Sequence, residues 1–280
     1  MGYEAQHRGT QTRSEIRRLL ASHGHVPVHA LGQNFLADPN IVHKMVAAAQ
    51  LNERSKVVEI GAGTGAITVV LAEVAETVVA YEIDTSLKPV LEESLRNCDN
   101  VELRFADVTK TTLQSELESG PWTMVANLPF NVGTGIVLDA LIDSPTIEKL
   151  VVMVQREVAD RLVARCGTKT YGLPSVICGL YSEGHLAFSV PPQVLDPQPR
   201  VESGVVVLDR VSHPKNTERA CDIAAAAFGQ RRKMLRRSLA GFLTDAQTTL
   251  LDAGIEPTAR PEQLEPLDFV AIADAELVRQ

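Results

Sequence analysis

The run Gly61-Ala62-Gly63-Thr64-Gly65 constrains this chain more than any other segment. It follows Lys56–Ile60, which reads as a buried strand, and precedes Ala66–Ala75, which reads as a helix. Glycines between a strand and a helix let the backbone turn sharply and approach a ligand closely. The rest of the first half repeats this alternation. Thr77–Tyr81, Val101–Phe105, Trp122–Ala126 and Lys149–Val154 read as further strands, with helices expected over Ser86–Leu95, Gly135–Ile142 and Gln155–Arg165. The pattern predicts an α/β fold built on an open, mainly parallel, Rossmann-like sheet covered on both faces. Leu186–Val190 and Val201–Asp209 are candidate antiparallel strands completing it.

The flanks differ in character. Residues 1–29 are polar, rich in Arg and His, and read as an N-terminal extension disordered at its start, with a short helix expected over Ser14–Ser22. Asp38-Pro39 can cap and start a helix with Ile41, Met45 and Val46 on one side. Pro191, Pro192, Pro197 and Pro199 make a stiff connector. Beyond residue 211 strand signals stop, and Ala220–Phe228, Arg231–Phe242, Ala246–Ala253 and Pro261–Arg279 suggest helices. The expected organisation is therefore an extension (1–29), an α/β domain (30–210) and a small helical domain (211–280).

The 280 residues carry a formal net charge of −8, which argues weakly against a nucleic-acid partner. Distribution matters more than the total. Arg231, Arg232, Lys233, Arg236 and Arg237 form a basic cluster without an acidic residue among them, and Arg13, Arg17 and Arg18 form a second. If Arg231–Phe242 is helical, Arg232 with Arg236 and Lys233 with Arg237 lie one turn apart. A solvated helix face and an RNA phosphate contact both fit that pattern. Cys98, Cys166, Cys178 and Cys221 are scattered and read as reduced thiols of a cytoplasmic protein. No metal is expected, because His23, His25 and His29 lack a clear Cys or acidic partner nearby in sequence. No apolar run is long enough to span a bilayer, and the N-terminus has no signal-peptide core.

Candidate site residues fall at strand ends. Glu82, about twenty residues after the glycine loop, can bind both hydroxyls of a ribose. Asp107 can accept a hydrogen bond from an adenine amino group at the end of the next strand. Each carboxylate taken alone is equally well a solvated strand end, and loop plus acid also suits a nicotinamide dinucleotide. The order of glycine loop, ribose acid, adenine-side Asp and then Asn127-Leu128-Pro129-Phe130 fits S-adenosylmethionine better. The Asn127 side chain and the Leu128 carbonyl can hold an amino group, Pro129 stiffens the bend, and Phe130 can stack on a base. A strand-end turn with Phe130 buried is the plainer reading of those four residues in isolation.

Several ordered motifs carry a family resemblance over about residues 30–240. They are Leu31-Gly32-Gln33-Asn34-Phe35-Leu36, Val58-Glu59-Ile60-Gly61-Ala62-Gly63-Thr64-Gly65, Glu82-Ile83-Asp84, Asn127-Leu128-Pro129-Phe130-Asn131, Met153-Val154-Gln155-Arg156-Glu157-Val158-Ala159 and Phe228-Gly229-Gln230-Arg231-Arg232-Lys233. With these the chain resembles the KsgA-type ribosomal RNA adenine dimethyltransferases, with the erythromycin-resistance methyltransferases as cousins. The resemblance implies a class I methyltransferase sheet and a donor held by Asn34, Leu36, Gly61, Glu82, Asp107 and Asn127, with Gly63, Ile83 and Val108 beside them. It implies dimethylation of two adjacent adenosines near the 3′ end of small-subunit rRNA, the helical domain engaging an assembly particle; the alternatives are a resistance-type enzyme acting on a large-subunit adenosine and a ribosome-assembly or nucleic-acid-binding protein of little activity. A monomer is expected, since nothing in the sequence requires a dimer. Departures cluster near the acceptor. Phe130 replaces a common Tyr, Val132-Gly133-Thr134-Gly135 replaces a Ser/Thr-Pro run, and Leu195 stands where an aromatic that could wall the base pocket is usual.

Overall fold

The computed structural model describes residues 11–117 and 119–279. The expected disorder at the start of the N-terminal extension lies outside the described residues. Nine strands occur among those described: β1 (Phe35–Leu36), β2 (Lys56–Ile60), β3 (Thr77–Glu82), β4 (Val101–Phe105), β5 (Trp122–Asn127), β6 (Ile147–Gln155), β7 (Ser182–Val190), β8 (Leu195–Asp196) and β9 (Ser203–Arg210). Seven of them form one sheet in the order β4-β3-β2-β5-β6-β9-β7, and β1 pairs with β8 in a separate antiparallel ladder. The pairs β2–β3, β2–β5, β3–β4 and β5–β6 are parallel. Their burial on both faces explains the near-continuous apolar runs in the sequence.

Strand register brings distant residues to a common edge. Ile60 lies level with Tyr81 on one side and Ala126 on the other. The next residue along each strand path is Gly61, Glu82 and Asn127, so three sequence-distant groups emerge at one sheet edge. Glu82 is itself paired with Phe105, which brings Ala106 and Asp107 to the same edge. This edge lies at the carboxyl ends of parallel strands, where ligands of open α/β sheets bind.

Contacts divide the chain into two units. The first runs to Ala159 and includes Leu186–Val207; the second comprises Asp160–His185 and the chain from Leu208 onward. The boundary at 211 therefore misses a segment. The helix Leu173–Tyr181, not foreseen from sequence, packs against the helices Thr217–Phe228 and Pro266–Val278. A Cβ at Gly179 would lie 2.8 Å from Pro266 Cγ, so the close approach depends on glycine. Tyr171 and Phe228 meet edge-on at 6.0 Å within this unit, and the Tyr171 hydroxyl donates to the Leu264 carbonyl at 2.8 Å.

The segment read as an extension is, from Gln11, part of the first unit. Thr12 and Glu15 form a capping box that starts the helix Arg13–Ser22, and Ile16, Leu19 and Leu20 are buried along one face. Gln11 Nε2 donates to the Thr64 carbonyl of the glycine loop at 2.8 Å. Arg13 Nη1 meets Asp196 Oδ1 at 2.9 Å, and Arg17 grips the same carboxylate through Nε at 2.7 Å and Nη2 at 2.9 Å. The expected helix is present, one residue longer at its start; polar composition hid only its place in the first unit, because its buried stripe is narrow and its charges are paired with residues far along the chain.

The Asp196 carboxyl is held below its ordinary range, chiefly by the hydrogen bond from Arg17. A depressed folded-state pKa contributes stability above the unfolded pKa, and that contribution is lost as pH falls through the folded value. D196N should therefore lower unfolding free energy at neutral pH by a small margin, since Arg17 is largely exposed and its ion pair is screened by water. Denaturant titrations should show the difference shrinking toward zero as pH drops below about 4.

Candidate functional site

The glycine loop takes its shape from three left-handed residues, Gly61, Gly63 and Gly65, at φ 81°, 58° and 84°. Gly61 and Ala62 both donate to the Tyr81 carbonyl, at 2.8 and 3.0 Å, which ties the loop to the end of β3. A Cβ at Gly63 would meet Phe35 Cδ1 at 3.0 Å, so the aromatic ring closes on the loop where no side chain stands.

Glu82 is buried, 6% exposed, with both oxygens held by the backbone. Oε2 accepts from the Gly63 N–H at 2.8 Å and Oε1 from the Asp84 N–H at 2.9 Å. Burial pushes its pKa up, while these hydrogen bonds pull it down, and burial prevails. Each oxygen keeps acceptor capacity for a hydroxyl donor. Asp107 is held the opposite way. The Thr109 hydroxyl and N–H donate to Oδ1 at 2.7 and 3.1 Å, Lys110 lies 3.1 Å from Oδ2, and these partners lower its pKa, the Thr109 hydroxyl first.

Across the edge, Asn127 Nδ2 donates to the Asn34 carbonyl at 2.9 Å, and Asn34 Nδ2 donates to the Gly32 carbonyl at 3.0 Å. With Nδ2 committed, Oδ1 is the end of the Asn127 amide left to accept from a ligand. Leu128 is buried and its N–H bonds the Met153 carbonyl of β6 at 3.0 Å. Gly32, at φ 66°, lets its segment press on the acceptor loop: a Cβ there would meet Pro129 Cβ at 3.3 Å.

These residues line one cleft of ≈ 100 Å³. It brings together Asn34, Gly61, Gly63, Glu82, Ile83, Asp107, Val108, Asn127, Leu128, Pro129 and Phe130. Ile83 is 47% exposed, an apolar side chain offered at the cleft wall. Leu36 is the exception. It pairs with Leu195 and is buried in the core, and strand alternation gives the place in the cleft to its neighbour Phe35.

Two further expectations change. Leu195 is fully buried in the same core, so it fills packing space and does not wall a base pocket. Gly133-Thr134-Gly135 is not a turn but the start of the helix Gly133–Asp143. The Gly133 N–H bonds the Pro129 carbonyl at 2.9 Å, and a Cβ on Gly133 would meet Leu128 Cβ at 3.2 Å. Glycine here lets the helix begin directly beneath the acceptor loop.

The basic cluster lies in the second unit and is not one helical face. Only Leu235–Ser238 is helical, because Met234 is extended and the Leu235 and Arg236 N–H groups bond the Ala259 and Pro257 carbonyls. The expected one-turn spacing of Arg232 with Arg236 and Lys233 with Arg237 therefore does not hold. Arg231, Arg232, Lys233 and Arg237 are exposed and Arg236 half-buried, with Arg231 3.8 Å from Glu262.

Sequence reasoning missed Gln33, Phe35 and Tyr81, all of which line the cleft. Gln33 Nε2 donates to Asp84 at 2.6 Å and its Oε1 accepts from the Val28 N–H at 2.7 Å, binding the N-terminal segment to the end of β3. Glu59 lies on β2 just before the loop; burial lifts its pKa to about 8, and it is not among the cleft residues. The histidines weighed as metal ligands serve elsewhere. His23 meets Glu93 at 2.7 Å and His25 meets Ser86 at 3.1 Å. No helix among the described residues is long and apolar enough to cross a membrane.

Comparison with known proteins gives a consistent picture. The family model described as "Ribosomal RNA adenine dimethylase" matches residues 28–276. A curated protein named "Ribosomal RNA small subunit methyltransferase A" from Enterococcus faecalis is 39% identical over 280 residues, covering 94% of this chain and 95% of its own length. One of the same name from Kineococcus radiotolerans is 42% identical over 255 residues, covering 88% and 85%. Among solved structures, a dimethyladenosine transferase from Plasmodium falciparum matches with TM-score 0.74 at 21% identity, covering 85% of this chain and 95% of its own, which bears on the fold alone. The 23S rRNA methyltransferase ErmE matches with TM-score 0.67 at 25% identity, covering 86% and 99%.

The raised pKa of Glu82 sets a pH signature for ligand binding. An ionised carboxylate accepts hydroxyl hydrogens at both oxygens, whereas protonation turns one oxygen into a donor, so affinity for a ligand bound through two hydroxyls should fall as pH drops through its raised value. Calorimetry with adenosine as the probe should show that loss beginning above the usual carboxylate range. E82Q should bind about tenfold or more weakly, with little dependence on pH over the same interval.

Proposed function

The chain belongs to the ribosomal RNA adenine dimethylase family, and on that premise we propose that it uses S-adenosylmethionine to dimethylate the 6-amino groups of two adjacent adenosines near the 3′ end of small-subunit rRNA. The observation that carries this reading is the single cleft holding a glycine loop, a backbone-braced acid, Asp107 and Asn127-Leu128-Pro129-Phe130. The small-subunit target is supported by the name shared by the relatives at 39% and 42% identity. Methylation of a large-subunit adenosine is the second reading, favoured only by the structural match at 25% identity. The work belongs in the cytoplasm, where the four thiols stay reduced.

The residues present fit the donor. The loop is open at Gly61, whose φ of 81° a side chain would strain, and Glu82 keeps two oriented acceptors beside it. When bound, S-adenosylmethionine supplies an electrophilic methyl group on a positively charged sulfur. Glu82 would hold the ribose hydroxyls and Asp107 the adenine amino group, with Ile83 and Val108 against the adenine faces. Asn34 holds Asn127, which ties the donor side of the cleft to the acceptor side.

Acceptor chemistry needs orientation more than a strong base. The adenine amino lone pair is delocalised into the ring, and the neutral group is far too weak an acid to be deprotonated first. Asn127 Oδ1 and the Leu128 carbonyl would accept its two hydrogens and aim the nitrogen lone pair at the methyl group. Phe130 would fix the base plane by stacking. Once nitrogen has gained a methyl group it is cationic and acidic, and its proton leaves to water. One of these acceptors would then hold the single remaining N–H for a second transfer.

Mass mapping of rRNA from a strain lacking the gene, with and without its restoration, tests the target. Loss of paired dimethyladenosines from the small subunit is the expected outcome; unchanged methylation of every rRNA adenosine would sink the enzymatic reading. Within the site, F130A should slow methyl transfer by roughly five- to 150-fold, the worth of about 1–3 kcal/mol of stacking, with donor affinity by calorimetry unchanged.

A further inference from the structure

Beside the donor cleft, and still within the first unit, lies a second, open groove of ≈ 780 Å³. Gly32, Gln33, Asn34 and Phe130 line both, so the two share a wall made of the acceptor loop and the segment packed on it. The groove's other side comes from Gln155, at the end of β6, and from Pro197–Val201, which follows β8. Nothing in the donor chemistry uses this space.

Its lining has a distinctive composition. Asn131, Gln155 and Gln198 bring amide side chains, which can pair with base edges, and Arg200 brings a cation. Arg200 is exposed and, among the described residues, makes no ion pair or side-chain hydrogen bond, whereas Arg13, Arg17 and Arg104 are all engaged with carboxylates. Pro197 and Pro199 offer flat apolar surface beside it. The segment carrying them is anchored immediately upstream, where Arg13 and Arg17 hold Asp196 and β8 pairs with β1. An unpaired cation and the Gln198 amide on an anchored loop, with Asn131 and Gln155 lining the same groove and a cleft for one base continuous with it, suit a second nucleotide of a single strand.

We propose that this groove is the subsite for the nucleotide adjoining the target adenosine, with Arg200 on the connecting phosphate and Gln155 on the edge of a purine base. The inference rests on the dimethyltransferase reading above and deepens it. Two neighbouring adenosines are modified in turn, and a purine-reading subsite next to the cleft would position one while the other reacts. Phe130 lies between the two positions because it belongs to both walls.

The test uses the full chain and small-subunit particles isolated without the modification. R200Q should raise KM for particles about tenfold, leave donor affinity unchanged, and flatten the slope of log affinity against log salt by about 0.7, the share of one single-strand phosphate. R200K should restore most of both effects. For the base, particles carrying a pyrimidine next to the target should raise KM severalfold with the wild-type enzyme and add little with Q155A, because the contact is already gone. A wild-type salt slope in R200Q, or additive effects of Q155A and the pyrimidine, would overturn the subsite while leaving the enzyme reading intact. Failure of the wild-type enzyme to methylate the particles at all would overturn both.

Discussion

The level register of β2 with β3 and β5 is the constraint on which everything else in the first unit rests. Ile60, Tyr81 and Ala126 stand abreast, so the chain leaves the sheet at Gly61, Glu82 and Asn127 along one line. A shift of one residue in either pairing would turn the strand's side chains to the opposite face and bury the wrong set. The apolar runs make that shift costly, since Val57, Val58, Val78, Val79, Met124 and Val125 are all essentially buried. Core packing therefore fixes the geometry of polar groups that contribute little to the core themselves.

A second layer of order comes from the N-terminal side. Gly32 allows its segment to lie against Pro129, Gln33 ties it to Asp84, and the Asn34 carbonyl takes the Asn127 amide. Gln11 reaches the glycine loop, and Arg13 with Arg17 secures Asp196 at the end of β8. These contacts join loops that the sheet alone would leave free at its edge. Rigid placement of both reactants is the larger part of what a site without a general base can contribute to rate.

How much of this was legible in the sequence depended on the kind of interaction involved. Parallel strands and the glycine loop were readable because burial and positive φ leave local marks in residue type, and the site residues at strand ends followed from them. The helix Arg13–Ser22 was readable as an element, yet its membership in the first unit was not, because that depends on pairing with Asp196 far along the chain. The Arg231–Phe242 stretch has helical spacing, but carbonyls of Pro257 and Ala259 capture the N–H groups that a helix would use. Leu36 and Phe35 show the finest limit: both are buried apolar neighbours, and only strand alternation decides which one meets the cleft.

The departures near the acceptor acquire a different meaning once placed in the fold. Leu195 faces the core opposite Leu36, and Gly133 sits under Leu128 and Val154 where a side chain would collide. Both are therefore adjustments of packing behind the acceptor loop, and neither removes a group from the cleft. Phe130 is the one aromatic ring of the Asn127–Phe130 segment itself, which runs into the helix Gly133–Asp143. Phenylalanine suffices for stacking, which draws on the ring face and not on a hydroxyl. On the proposed chemistry, recognition of the base would come from Asn127 and Leu128 at its amino edge, and the donor side of the cleft would set the distance at which that edge stops.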